Sequence, residues 1–103
     1  MQIVLSHNSV PVRLTEERWR HIVSRHPEMD RQKNRVLETI HEPEVVQEGD
    51  FGVLLGARYY SETPLTSKFL VVAYREQGSD DGFVLTAYFA TRLSSKRVIL
   101  WKR

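Results

Sequence analysis

The sequence predicts an α+β domain: two N-terminal helices packed on one face of an antiparallel sheet of about four strands. Three observations carry that prediction. Residues 15–40 repeat apolar side chains at helical spacing, and residues 51–101 switch to runs rich in Val, Leu, Tyr and Phe. The strand-like runs are also joined by connections too short for parallel crossovers. The 103 residues fit one domain, 1–103, with no repeat, low-complexity tract or Gly/Ser linker to divide it.

A short strand at Ile3 to Leu5, or at Pro11 to Leu14, is expected at a sheet edge. The stretch LTEERWRHIVSRHP then opens a helix, with Thr15 as N-cap and Glu16 and Glu17 in the first turn, where the helix dipole favours acids. Trp19, Ile22, Val23 and His26 share one face of it, and Pro27 disfavours helical geometry at His26. A second helix is expected from an Asp30 N-cap to Ile40, with Val36, Leu37 and Ile40 as its apolar stripe and His41 and Pro43 closing it.

Four strand-like segments follow: FGVLLGARYY, KFLVVAYRE, FVLTAYFATR and a short RVILWKR. SETPLTS makes the first connection and the polar turn QGSDDG the second. Alternation puts Phe83, Leu85, Ala87 and Phe89 on one face, the natural core face, and Val84, Thr86, Tyr88, Ala90 and Arg92 on the other. Lys68, Leu70, Val72 and Tyr74 likewise alternate with Phe69, Val71, Ala73 and Arg75, and Gly56, Arg58 and Tyr60 with Val53, Leu55, Ala57 and Tyr59. The polar residues of these strands are Thr, Tyr, Arg and Lys, with few acids until the strand ends, which suits an anion on the outer face. Thr and Tyr also favour strands for conformational reasons alone.

Composition narrows the function classes. A 41% hydrophobic fraction supports one modest core, and no apolar run approaches the ~20 residues that span a bilayer. MQIVLSHNSV lacks the positive flank, long apolar segment and cleavage site of a signal peptide, so no membrane partner is expected. Zero cysteines exclude disulfides and thiolate metal sites and suit a cytoplasmic protein. Net charge is only +2, but 11 of the 15 basic residues are Arg, whose planar fork matches phosphate and stacks on bases. An Arg-rich proteome would produce the same bias.

Two histidines concentrate in WRHIVSRHPEM. His26 stands at the end of the apolar stripe, where it is either a packed helix-end residue or a general acid–base beside the sheet. His21 lies on a different face with Arg18 and Arg25, a stripe that is either solvated surface or a phosphate grip. Five residues apart, the two histidines diverge by more than about 100° around the helix, so no shared metal is expected. No nucleophile elbow, phosphate-binding Gly loop, carboxylate pair or zinc pattern occurs. His, Arg, Lys, Tyr and Thr remain. That set fits RNA cleavage by attack of the ribose 2′-hydroxyl on the adjacent phosphate, which needs a base, an acid and cations but no metal or other cofactor.

The H-x-x-x-R-H-P-E element (His21, Arg25 to Glu28), the following ETIHEPEVV and the late GFVLTAYFATR resemble the phage-associated branch of the barnase–EndoU–colicin–RelE-like nuclease superfamily, from about Arg13 to Arg92. The resemblance implies N-terminal helices before an antiparallel sheet, and a metal-independent ribonuclease of toxin or phage-conflict type. RNA is then the expected partner, with an antitoxin or immunity protein as a second. It implicates His21, Arg25 and His26 in the helical motif and Thr86 and Tyr88 in the late strand. Arg58, Lys68, Tyr74 and Arg92 join them on facing and charge as substrate-binding residues. Two other readings compete. One is a non-catalytic RNA- or protein-binding module on the same face. The other is a module whose histidines merely pack and whose outer sheet face is covered by a homodimer partner or by the N-terminal segment.

Overall fold

The computed structural model describes all of Met1–Arg103. Thr15 starts the first helix as its chemistry dictates: its hydroxyl accepts from the Arg18 amide at 3.1 Å, satisfying one of the orphan donors of α1 (Glu16–Arg25). Trp19 and Ile22 are buried, and the His26 amide closes the last turn on the Ile22 carbonyl. Pro27 then opens a 3-10 turn, Pro27–Met29, whose Met29 is fully buried. The chain reverses through Arg31, at φ 67°, before α2 (Lys33–His41). The second helix therefore starts three residues beyond Asp30. Asp30 instead ends the 3-10 turn in an extended conformation, and Gln32 occupies the cap position.

The sheet is larger than the sequence predicts and is mixed. Its strands are β1 (Gln2–Leu5), β2 (Pro11–Leu14), β3 (Val45–Glu48), β4 (Leu54–Tyr59), β5 (Phe69–Gln77), β6 (Asp81–Ala90) and β7 (Ile99–Lys102). They lie in the order β1-β2-β6-β5-β4-β3-β7. Both N-terminal alternatives are strands, paired as a hairpin, and the four-residue β3 escapes notice because it is too short to show a period. Short loops exclude parallel pairing only between consecutive strands. β2 and β6 pair in parallel, at Arg13 and Phe83, because both helices and three strands separate them in the chain.

Facing also needs one correction. The β5–β6 register runs Ala73↔Thr86 and then Tyr74↔Val84, so Leu85 is an extra residue. That bulge inverts the alternation on its N-terminal side. Val84, not Phe83 or Leu85, joins Ala87 and Phe89 in the core. The core lies between the helices and one sheet face, where Trp19, Ile22, Val36 and Ile40 meet Leu70, Val72 and Tyr74. The opposite face carries a smaller cluster, Val45, Ala57 and Val71, against which Leu93 packs from the β6–β7 connection. Gln47 Nε2 donates to the Ser94 carbonyl at 2.8 Å and holds that connection down. The outer face is thus partly covered by Leu93 and Ser94 of the β6–β7 connection, rather than by the N-terminal segment.

The sheet curls around α2. The ring of His7, in the β1–β2 turn, lies 5.0 Å from that of Trp101 in β7, although β1 and β7 are the two ends of the strand order. Beneath them His41, the last residue of α2, places Nδ1 2.8 Å from the Leu5 carbonyl oxygen.

Candidate functional site at the open edge of strand β6

β2 ends at Leu14 and touches β6 in ladder register only at Phe83. Beyond that point β6 has no strand on this side, and α1 runs along its edge instead, with Arg18 Nη1 donating to the Leu85 carbonyl at 3.4 Å. Pro27 takes His26 out of the helix, to φ −131° and ψ 79°. The ring then lies 6.0 Å, centroid to centroid, from that of Tyr88, which stands opposite Val71 on the outer face. The His26 and Glu28 side chains are 35% and 21% exposed, so each is part-shielded yet reachable. Glu28 Oε1 is 3.5 Å from His26 Nδ1, while Nε2 has no protein partner. A carboxylate near Nδ1 biases the orientation of the ring and leaves Nε2 facing away from it. Glu28 is the site residue that sequence reasoning quoted without giving it a role; its signal is the two-residue spacing across Pro27, which lets its carboxylate fold back on His26.

The other residues named from sequence divide into two groups. Thr86 is half-buried in β6 opposite Ala73, two residues before Tyr88. Arg92 opens the β6–β7 connection, where a shallow groove is lined by Arg92, Leu93, Ser94, Ser95 and Lys96. His21 and Arg25 are exposed on α1, one turn apart, and His21 shares a small cleft with Thr15, Glu17 and Arg18. Arg58, Lys68 and Tyr74 belong to the other side of the sheet. Arg58 Nη1 donates to the Glu42 carbonyl at 2.5 Å, closing the C-terminus of α2, and its Nε lies 3.8 Å from Glu38. The Lys68 carbonyl accepts from Tyr60, so Lys68 sits across from a residue whose hydroxyl bonds Glu38 of α2. Tyr60 is pushed up to about 12 by burial and by the Glu38 carboxylate.

Tyr74 is fully buried, with burial raising its phenol and no hydrogen-bond partner for its hydroxyl. An unpartnered buried hydroxyl is a cost. Tyr74→Phe should therefore raise stability by about 1 kcal/mol in urea unfolding and leave any RNA affinity unchanged. A loss of stability in that variant would mean that the hydroxyl has a partner in solution.

Charge at the edge is uncompensated. Four of the 15 Lys and Arg side chains pair with carboxylates (Arg13–Asp81, Lys33–Glu16, Arg58–Glu38 and Arg97–Asp50), leaving the other 11 without one. Arg13 is held at both ends of its fork by Asp81, whose carboxyl the guanidinium keeps below the usual carboxylate range. Arg18, Arg25 and Arg92 are among the free ones: Arg18 and Arg25 lie on α1, which ends at His26, and Arg92 follows the strand that carries Tyr88. Free guanidinium groups on the same elements as a reachable imidazole suit a phosphate-bearing ligand. No three His, Asp or Glu side chains gather as a metal-binding cluster, and no helix is long and apolar enough to cross a membrane. Among known proteins, no family model, curated sequence or solved structure matches this chain.

Proposed function

We propose that the chain is a metal-independent endoribonuclease working at the open edge of β6. The observation that carries this reading is His26: beside Glu28, displaced from its helix by Pro27, and brought to Tyr88 at the strand edge. In the proposed reaction His26 Nε2 takes the proton of a ribose 2′-hydroxyl as its oxygen attacks the adjacent phosphorus. The bond to the 5′-oxygen breaks, and that oxygen leaves with a proton supplied by water, to which His26 returns its own. The products are a 2′,3′-cyclic phosphate and a 5′-hydroxyl. Arg25 and Arg92 neutralise charge on the phosphorane, with His21 beside them, while Tyr88 and Thr86 contact the nucleotide. A toxin or phage-conflict setting follows from the sequence resemblance, and an antitoxin or immunity protein would then cover this edge.

The test is cleavage of total RNA and of tRNA by the purified chain in EDTA, beside His26→Ala, with the new ends mapped. Cleavage by the wild type alone, leaving cyclic phosphates, is the expected result. A second reading draws on the apolar part of the same face, where Val71 and Ala57 sit under Leu93: a binding module without catalysis. RNA bound equally by both proteins and cut by neither would favour it.

A further inference from the structure

The last strand presents a different surface. β7 pairs with β3 on one side and is the terminal strand of the sheet, so its outward backbone groups have no ladder partner. Val98, Ile99, Leu100 and Trp101 are 59%, 53%, 49% and 36% exposed in succession. Four apolar residues in a row on an edge without a ladder partner, flanked by His7 only at Trp101, form a template for strand addition. Beside them the β3–β4 turn holds Phe51, 93% exposed and at φ 55°, a conformation unfavourable for an L-residue with a bulky side chain. Arg97 pins that turn, donating to the Glu48 carbonyl at 3.2 Å and to Asp50 Oδ1 at 3.3 Å. An aromatic side chain fixed in solvent beside an open strand edge fits an interface anchor.

Charge selects the occupant. The apolar run is flanked by Lys96 and Arg97 on one side and by Lys102 and Arg103 on the other; of these only Arg97 has a carboxylate partner. Consider a second copy paired antiparallel with full overlap of residues 98–101. Val98 then faces Trp101, Arg97 faces Lys102 and Lys96 faces Arg103, like charges opposite one another at both ends, which disfavours the pair. A parallel pair sets each cation against itself. We infer that β7 accepts an extended segment of a different protein, apolar at its centre and carrying Asp or Glu at both ends, added as an eighth strand antiparallel or parallel to it. In the strand order this surface is four strands from β6, so its occupant pairs with a different edge from the one beside His26. The inference does not depend on the chain being a nuclease.

The test uses two blocked synthetic peptides with the same core, Val-Thr-Val-Tyr, one flanked by Asp-Glu at each end and the other by Lys-Lys. Binding to the full-length chain is read by fluorescence anisotropy, and protection of β7 by amide hydrogen exchange. The acidic peptide should bind about tenfold more tightly, as two or three exposed ion pairs provide, and should slow exchange at residues 98–102. The exposed-site variant K96E/K102E should reverse the preference. Equal affinity for the two peptides, failure of both to bind, or binding without protection of β7 would each overturn the inference. So would β7 protection that grows with protein concentration alone, which would assign the edge to a second copy.

Discussion

His26→Ala should lower RNA cleavage by about two to four orders of magnitude, the usual weight of a positioned acid–base group, while thermal unfolding stays close to wild type. The second half of that expectation follows from where the ring sits. It is a third exposed, outside the core cluster, and its only polar side-chain contact is Glu28 at 3.5 Å. The backbone of His26, not its ring, closes α1. Removing the imidazole therefore leaves the helix cap, Trp19 and Ile22 in place. Glu28→Gln provides the companion measurement. As a positioning residue, Glu28 should change cleavage less, by about tenfold, and the loss should fall on kcat rather than KM, because it is the ring's placement that is disturbed. A loss matched by an equal loss of thermal stability would limit Glu28 to a structural part. Unchanged cleavage in His26→Ala would remove His26 from the mechanism altogether.

The helical half of the fold was legible because its signals are local. Thr15, the two glutamates after it, the Trp19–Ile22 stripe and Pro27 each act within one turn, and the structure has α1 ending at Arg25 as that proline requires. The sheet was less legible because its signals are not local. The parallel β2–β6 contact joins residues 70 positions apart, and four-residue strands such as β1 and β3 take their identity from a partner rather than a pattern. Leu85 shows the cost of strict alternation: a single bulge exchanges the inward residues of half a strand. Tyr74 shows a missed signal. Its alternation mates Leu70 and Val72 are wholly apolar, which already argued for a buried face over a substrate contact. Of the candidate site, His26, Thr86 and Tyr88 were reachable from type and spacing. What brings His26 to Tyr88 is the end of β2 at Leu14, and that depends on the three-dimensional path of the chain.

Gly82→Ala should be the most damaging small substitution, costing about 3 kcal/mol, because the added methyl meets backbone rather than movable side chains. A Cβ built there would stand 2.6 Å from the Arg75 carbonyl oxygen of β5 and 3.2 Å from that of Pro11 in β2. Both oxygens belong to strands on either side of β6, so relief requires moving one of them. Elsewhere Gly→Ala at a compatible position gains stability, about 0.4 to 1 kcal/mol, by restricting the unfolded chain. Gly78 is the control: its φ is +73°, nothing lies within 4 Å of its Cβ position, and its alanine variant should lose only about 1 to 2 kcal/mol, from the left-handed backbone. In urea unfolding the ranking is therefore Gly82→Ala well below Gly78→Ala, and a Gly82→Ala protein as stable as wild type would mean that β6 does not run this close to β5 and β2 at Gly82. The consequence reaches the site. Gly82 precedes Phe83, the residue through which β6 meets β2, and β2 leads directly into the helix that carries His26. Spreading that junction should shift the start of α1 along the β6 edge. RNA cleavage by Gly82→Ala should fall even where the variant remains folded, and by more than in the variant at Gly78, which is exposed in the β5–β6 turn and touches neither β2 nor α1.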